Sequence, residues 1–257
     1  MQLSDYQSRY HTIRFARSGG ILEVMLHSRG GEAKWGVSER SLHNELGLAF
    51  SDIASDPENR IVILTGTGST FIAAMDRDEP APEPTLAEMW GRIYAEGMSL
   101  LENLLAIPVP VIAAVNGPAL IHAEIAVLSD IVLAAEDAEF ADLAHVPGGA
   151  VPGDGVHTVW PMLLGPNRGR YFLLTGERIG AAEAKRLGVV AEVLPRDALM
   201  PRARALAEQL AKLSPLTLRN TRAVLVRHLR KRLQDELSFG LGLEALAMLT
   251  GPAPLRT

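Results

Sequence analysis

The chain has 257 residues, of which 47% are hydrophobic, 21% charged and 5% aromatic, the mix of a folded globular protein rather than a disordered or fibrous one. It contains no cysteine, which excludes disulfides and thiolate metal sites and leads us to expect a cytoplasmic setting. Thirty acidic against 25 basic side chains give a formal charge of −5, an argument against a general nucleic-acid or membrane-surface binder.

Residues 1–5 carry neither the basic start nor the apolar stretch of a secretory signal, and no apolar run approaches the roughly 18 residues of a spanning helix, so a soluble protein is expected. Short runs rich in Val and Ile at residues 21–26, 61–64, 111–115 and 131–134 predict buried strands. Between them, apolar spacing of three to four predicts helices over residues 41–54 and 86–105. This alternation indicates an α/β layered domain, whose ligands usually bind where loops leave the carboxyl ends of the strands. A Gly/Pro-rich stretch at residues 146–155 is too long and irregular for a simple connector. From Pro195 onward the pattern is helical, with Asp197 and Ser214-Pro215 as start signals and apolar spacing through Leu237, Leu241 and Met248. With no linker or sequence repeat, the reading is one domain: an α/β core over residues 1–195 and a helical C-terminal extension over residues 196–257.

Of the seven histidines, His11, His27 and His228 read as surface residues, His43 as a solvent-facing helical residue, and His157 as projecting from the first turn of a helix. His122 lies between a buried strand and a buried helix, where its ring either is a satisfied core group or faces a cavity. Its neighbour Glu124 reads as a backbone-bonding group. His145 and Asp154 bracket the Gly/Pro stretch; folded back on itself, that stretch would join them into a base whose carboxylate fixes the imidazole tautomer. Residue chemistry alone favours Asp154 as the cap of a helix beginning near Gly155. Trp35 reads as a cover for the core edge or a donor aimed into a pocket. Glu244, alone among apolar neighbours, belongs either at a solvent edge or in a cavity with a raised pKa.

The stretches IVILTG (61–66), PVIAAVNG (110–117), LTGERI (174–179) and AKRLGVV (184–190) together resemble the crotonase (enoyl-CoA hydratase/isomerase) superfamily across nearly the whole chain. That resemblance implies repeated ββα units forming two roughly perpendicular sheets, a helical C-terminal region, and trimers that often pair into hexamers. The loops depart from members that handle acyl-CoA: FIAAMD (71–76) and LIHAE (120–124) stand where those enzymes carry glycine-rich loops whose N–H groups hold the thioester oxygen. An Asn-Arg-Pro-type segment that helps seat CoA is also replaced, by HSRGGEAKW (27–35).

With SDIVLAAE (129–136), VPGDG (151–155) and NRGRYFLLTG (167–176), the sequence resembles the 6-oxocamphor hydrolase branch, carbon–carbon bond hydrolases of cyclic β-diketones. The resemblance places His122, His145, Asp154 and Glu244 on functional positions. Trp35 and His43 match substrate-binding positions across a somewhat longer interval. It implies that His145, oriented by Asp154, activates water, while His122 and the Trp35 indole hold the carbonyl that becomes an enolate. Glu244 would order water or relay a proton. No metal and no organic cofactor is expected, and the partners implied are a small-molecule diketone and further copies of the chain in a homotrimer or dimer of trimers. Two other readings stand beside this one: an acyl-CoA hydratase or isomerase using Glu124, and a non-catalytic crotonase-like RNA-binding or scaffold subunit.

Overall fold

The computed structural model describes residues 1–78 and 85–250. One helical turn, α1 (Leu3–Tyr6), precedes the hairpin of β1 (Ile13–Ser18) and β2 (Ile21–Leu26). There follow β3 (Lys34–Trp35), α2 (Leu42–Ser55), β4 (Ile61–Gly66), β5 (Ala74–Met75), α3 (Leu86–Ala106), β6 (Val111–Val115), α4 (Glu124–Val127), β7 (Ile131–Ala135) and β8 (Glu139–Phe140). The chain continues through α5 (Val156–Leu164), α6 (Pro166–Thr175), β9 (Ile179–Gly180), α7 (Ala181–Arg186), β10 (Glu192–Leu194), α8 (Arg196–Leu210) and α9 (Pro215–Thr250).

The main sheet has the order β1-β2-β4-β6-β7-β10, with β1 antiparallel to β2 and every other pair parallel. A strand in the middle of such a sheet is covered on both faces, which is why β4 and β6 read as unbroken apolar runs. Alternate residues serve opposite layers. Val62, Leu64, Val111, Ala113 and Val115 join the large core with Leu46 and Phe50 of α2 and Leu101 and Leu104 of α3, whereas Ile61, Ile63, Ile112 and Ala114 pack with Leu199, Ala203 and Ala207 of α8.

The four predicted strands and both predicted internal helices are present to within two residues at their ends. β1 escaped the sequence reading because its residues, IRFARS, alternate between buried and more exposed positions at the sheet edge. In place of two full sheets, the second layer consists of two short pairs, β3 with β5 and β8 with β9, stitched by single bridges from Ile72 to Ala119 and from Ala119 to Phe140. The unit strand, short strand, helix recurs as β2-β3-α2 and β4-β5-α3, and again after β6 with Ala119 standing for the short strand. It is a structural repeat without a sequence repeat. Among the described residues no helix is long and apolar enough to cross a membrane.

One buried cation locks α9 to this framework. Arg222, only 2% exposed, donates from Nε to Asp130 Oδ2 at 2.7 Å and from its other nitrogens to the carbonyls of Leu104, Leu105 and Ile107. Those carbonyls close the end of α3, where a helix has no internal donors left to offer. Asp130 also accepts the Val111 N–H at 2.7 Å, so the contact ties α9, α3 and β6 at one point. Arg222→Met removes the charge and orphans these acceptors; we expect it to cost about 3–5 kcal/mol of stability, measured by urea unfolding.

Candidate active site

The site begins where β6 ends. Asn116 accepts from Gly66 N at 3.1 Å and donates to the Gly68 carbonyl at 3.0 Å, so the loops after β4 and β6 hold each other. They touch backbone to backbone at Gly117, where a Cβ would fall 1.8 Å from the Ser69 carbonyl oxygen. Leu120 N and Ile121 N both donate to the Ile72 carbonyl, and the chain then turns at His122 with φ of 50°. That left-handed conformation is uncommon outside glycine, although histidine is among the residues that tolerate it best. The turn points the ring into the protein and leads directly into α4.

Asp142 and His145 follow β8, held to the same loop by bonds from Ala141 N to the Ala119 carbonyl and from Leu143 N to the Leu120 carbonyl. Asp154 ends the Gly/Pro stretch. Beyond it Gly155, with φ of 109°, is the N-cap of α5 and no side chain caps that helix, so the capping role expected for Asp154 is not what its carboxylate does. α9 lies across the stretch because two glycines allow it: a Cβ on Gly153 would sit 2.3 Å from the Gly240 carbonyl oxygen, and one on Gly240 would sit 2.2 Å from that of Gly153. This approach brings Glu244, one turn further along α9, over the loop.

The side chains converge on Asp154. Its Oδ2 is 3.0 Å from His122 Nδ1 and 3.3 Å from His145 Nε2. His122 Nδ1 also meets Glu124 Oε1 at 2.8 Å, and His145 Nδ1 meets Asp142 Oδ1 at 2.7 Å. Glu244 Oε1 stands 3.9 Å from His145 Nε2. The two imidazoles lie edge to face with centroids 5.3 Å apart, and Trp35 stacks on His122 at 3.9 Å. His122, His145, Asp142, Glu124 and Glu244 are all buried.

Burial disfavours charge on every one of these groups, so neighbours decide the outcome. For both imidazoles burial is the largest single influence and acts downward. Glu124 and Asp154 nonetheless raise His122 to about 10, and Asp154 and Asp142 hold His145 well above the ordinary histidine range. Asp154 is pushed up by burial, but the charges of His145 and His122 win and keep it well below the usual carboxylate range. For Glu244 the compensation falls short: burial and then the charge of Asp154 raise it to about 8 against the opposing charges of His145 and His122. Burial also raises Glu124, offset only in part by His122. The result is an anionic Asp154 between two imidazoles that favour the charged form, flanked by two carboxyl groups that resist ionising.

The structure thus brings together His122, His145, Asp154, Glu244 and Trp35, and corrects several expectations. His43 is buried rather than solvent-facing; it touches Trp35 edge-on at 5.6 Å, and its Nδ1 lies 2.7 Å from Glu96, itself held by Arg92. It therefore stands behind the tryptophan. His27 is buried, its Nδ1 accepting from Gly30 N, because the chain reverses there instead of running along the surface. His157 does not project to solvent; both its ring nitrogens are buried where α5 meets Gly240. Glu124 bonds an imidazole, not backbone. Asp142 was missed, and it is the carboxylate on His145 Nδ1, the tautomer-fixing position assigned in sequence to Asp154. The available signal was a lone acid three residues before His145 in an apolar run.

Comparison with known proteins agrees with this architecture. The family model described as Enoyl-CoA hydratase/isomerase matches residues 18–245, and the chain belongs to that family, the crotonase-type enzymes. Carnitinyl-CoA dehydratase of Citrobacter koseri is 35% identical over 208 residues, 80% of this chain and 77% of that protein. Among solved structures, a beta-diketone hydrolase from the cyanobacterium Anabaena sp. PCC 7120, bound to (S)-3-oxocyclohexyl acetic acid, is 42% identical with a TM-score of 0.89, covering 95% of this chain and 96% of that one. An enoyl-CoA hydratase/isomerase from Mycobacterium paratuberculosis is 28% identical with a TM-score of 0.82, covering 93% and 94%.

The contact between Gly153 and Gly240 makes the site depend on α9. Gly240→Ala forces the two backbones apart, and we expect a loss of about 1–3 kcal/mol in chemical denaturation, as for other overpacked contacts. The same variant should show altered near-ultraviolet circular dichroism from the displaced site aromatics.

Proposed function

We propose that this enzyme hydrolyses one carbon–carbon bond of a cyclic or bicyclic β-diketone, a retro-Claisen cleavage that yields a keto acid. The observation that carries the reading is the pair of imidazoles sharing one oxygen of Asp154. Such a set supplies a base for water and a cationic donor for the oxygen that gathers negative charge. The keto acid bound in the Anabaena relative supports it: adding water across one acyl bond of a bicyclic octane-2,6-dione gives an oxocyclohexyl acetic acid.

Hydroxide adds to one carbonyl carbon, the tetrahedral adduct collapses, and the electrons of the broken carbon–carbon bond become the enolate of the other carbonyl. His145 takes the proton from water at Nε2, because Asp142 occupies Nδ1. Without substrate the imidazole is held charged between two carboxylates. Water enters the 3.3 Å contact as the Nε2 proton passes to Asp154 Oδ2, and the neutral ring that results is the base; that proton returns to Nε2 when the product leaves. His122, with Nδ1 committed to Glu124 and Asp154, donates from Nε2 to the oxygen that becomes the enolate oxygen. Trp35 fixes the plane of that ring by stacking. Glu244, whose raised pKa keeps it protonated near neutrality, delivers the proton to the enolate carbon and is restored by the proton that His145 Nε2, 3.9 Å away, took from water. Water plus diketone thus gives the keto acid with protons conserved.

The same reading includes assembly into a homotrimer or a dimer of trimers. Phe239, Leu243 and Leu246, spaced by four and three along α9, stay exposed in the single chain, and another copy would cover them.

Bicyclo[2.2.2]octane-2,6-dione is the test substrate, followed by loss of its absorbance and chiral analysis of the acid. We expect turnover by the parent, a kcat about 10²–10⁴-fold lower in His145→Ala, and a loss of about 10²–10³-fold in His122→Ala. Asp142→Asn should lower kcat by up to about 10⁴-fold with KM little changed, as when a histidine is held in the wrong tautomer. Hydration of crotonyl-CoA together with no diketone cleavage would instead assign the chain to the chemistry of its acyl-CoA relatives.

A further inference from the structure

Three atoms of metal-ligand type meet in the site. His122 Nδ1, His145 Nε2 and Asp154 Oδ2 all lie within 4.8 Å of one another, and the two nitrogens stand 3.0 and 3.3 Å from the shared oxygen. Tetrahedral zinc, with nitrogen and oxygen ligands at about 2.0–2.2 Å, separates neighbouring ligand atoms by roughly 3.3–3.5 Å. Two of the contacts are already close to that size.

Two further features suit an ion. Asp142 accepts at His145 Nδ1, which leaves the Nε2 lone pair directed at the common point; a carboxylate behind a ligating histidine is the usual support of such a ligand. The surroundings are also rich in acceptors. Glu124 Oε2 and Asp154 Oδ1 are buried with no hydrogen-bond partner among the described residues, and Glu124 is 1% exposed. Four carboxyl groups face the two imidazoles here. Buried carboxyl oxygens without a donor are acceptors that a divalent cation would satisfy.

We propose that His122, His145 and Asp154 form a site for a divalent transition ion, zinc above all, with a fourth position left open, and that the bound ion reversibly inhibits the enzyme. The inhibition rests on the proposed hydrolysis, because the ion takes the His145 lone pair that would accept the proton from water. The binding itself does not require it.

Cobalt(II) is the probe, read by its visible absorption in protein treated with EDTA and dialysed, with no diketone present. We expect a band that saturates at one ion per chain and is bleached by one equivalent of zinc. His145→Gln and Asp154→Asn should each weaken binding by at least 100-fold, and Asp142→Asn by about 10–100-fold. Zinc-soaked crystals of the unaltered protein, with anomalous scattering at the zinc edge, locate the ion without any substitution. The proposal is overturned by the lack of a band at millimolar cobalt, by unchanged affinity in the folded variants, or by an ion placed elsewhere. Diketone cleavage at full rate by zinc-saturated protein overturns the inhibition. Protein that binds cobalt through these side chains yet cleaves no diketone upholds the metal site and refutes the hydrolase reading instead.

Discussion

Asp154 Oδ2 lies 3.0 Å from one buried imidazole and 3.3 Å from another, and an ionic contact shut away from water in this way stands only while each of its neighbours is in place. Removing either ring would leave Asp154 with one imidazole in place of two, and removing Asp154 would leave each histidine a single acid, Glu124 or Asp142, to oppose the loss of charge that burial imposes. The second layer of acids follows from the same constraint. Glu124 and Asp142 each back one imidazole, while Glu244, facing the cluster from α9, finds its own ionisation opposed by burial and then by Asp154.

The framework meets this demand with loops at the carboxyl ends of parallel strands, where backbone groups released from the sheet can bond to one another. The loop after β6 is fastened twice, through Asn116 to the loop after β4 and through Leu120 to both Ile72 and Leu143. His122 is consequently fixed in a left-handed turn and has little freedom to move toward or away from its partners. On the far side, α9 closes the site, and its position is set by Arg222 at one end and by the Gly153 contact with Gly240 at the other. A helix more than fifty residues beyond His145 in sequence thereby becomes one wall of the same site.

One scaffold supports relatives named for acyl-CoA chemistry and one named for diketone hydrolysis. At the position where the resemblance to acyl-CoA enzymes implies a glycine-rich loop, this chain has a histidine whose own backbone adopts a conformation that glycine takes freely. The stacked Trp35 and the Glu124 carboxylate at Nδ1 hold that ring in place.

The sequence by itself determined the central strands β2, β4, β6 and β7, the helices α2 and α3, and the helical C-terminal region, because burial on both faces of a sheet or on one face of a helix writes a local periodicity. It also marked His122 and Glu244 as polar groups in apolar surroundings, and His145 and Asp154 as an imidazole and a carboxylate bracketing the Gly/Pro stretch. Residue chemistry alone nonetheless read Asp154 as a helix cap, and only the resemblance joined it to His145. Tertiary structure decided the rest: that one oxygen of Asp154 serves both imidazoles, that Asp142 holds His145 Nδ1, that His43 stands behind Trp35, and that the second sheet is reduced to short pairs. Contacts between segments far apart in the chain leave no periodic trace. The ionisation of a buried group depends on which of those segments arrive beside it, and that is settled only when the chain has closed.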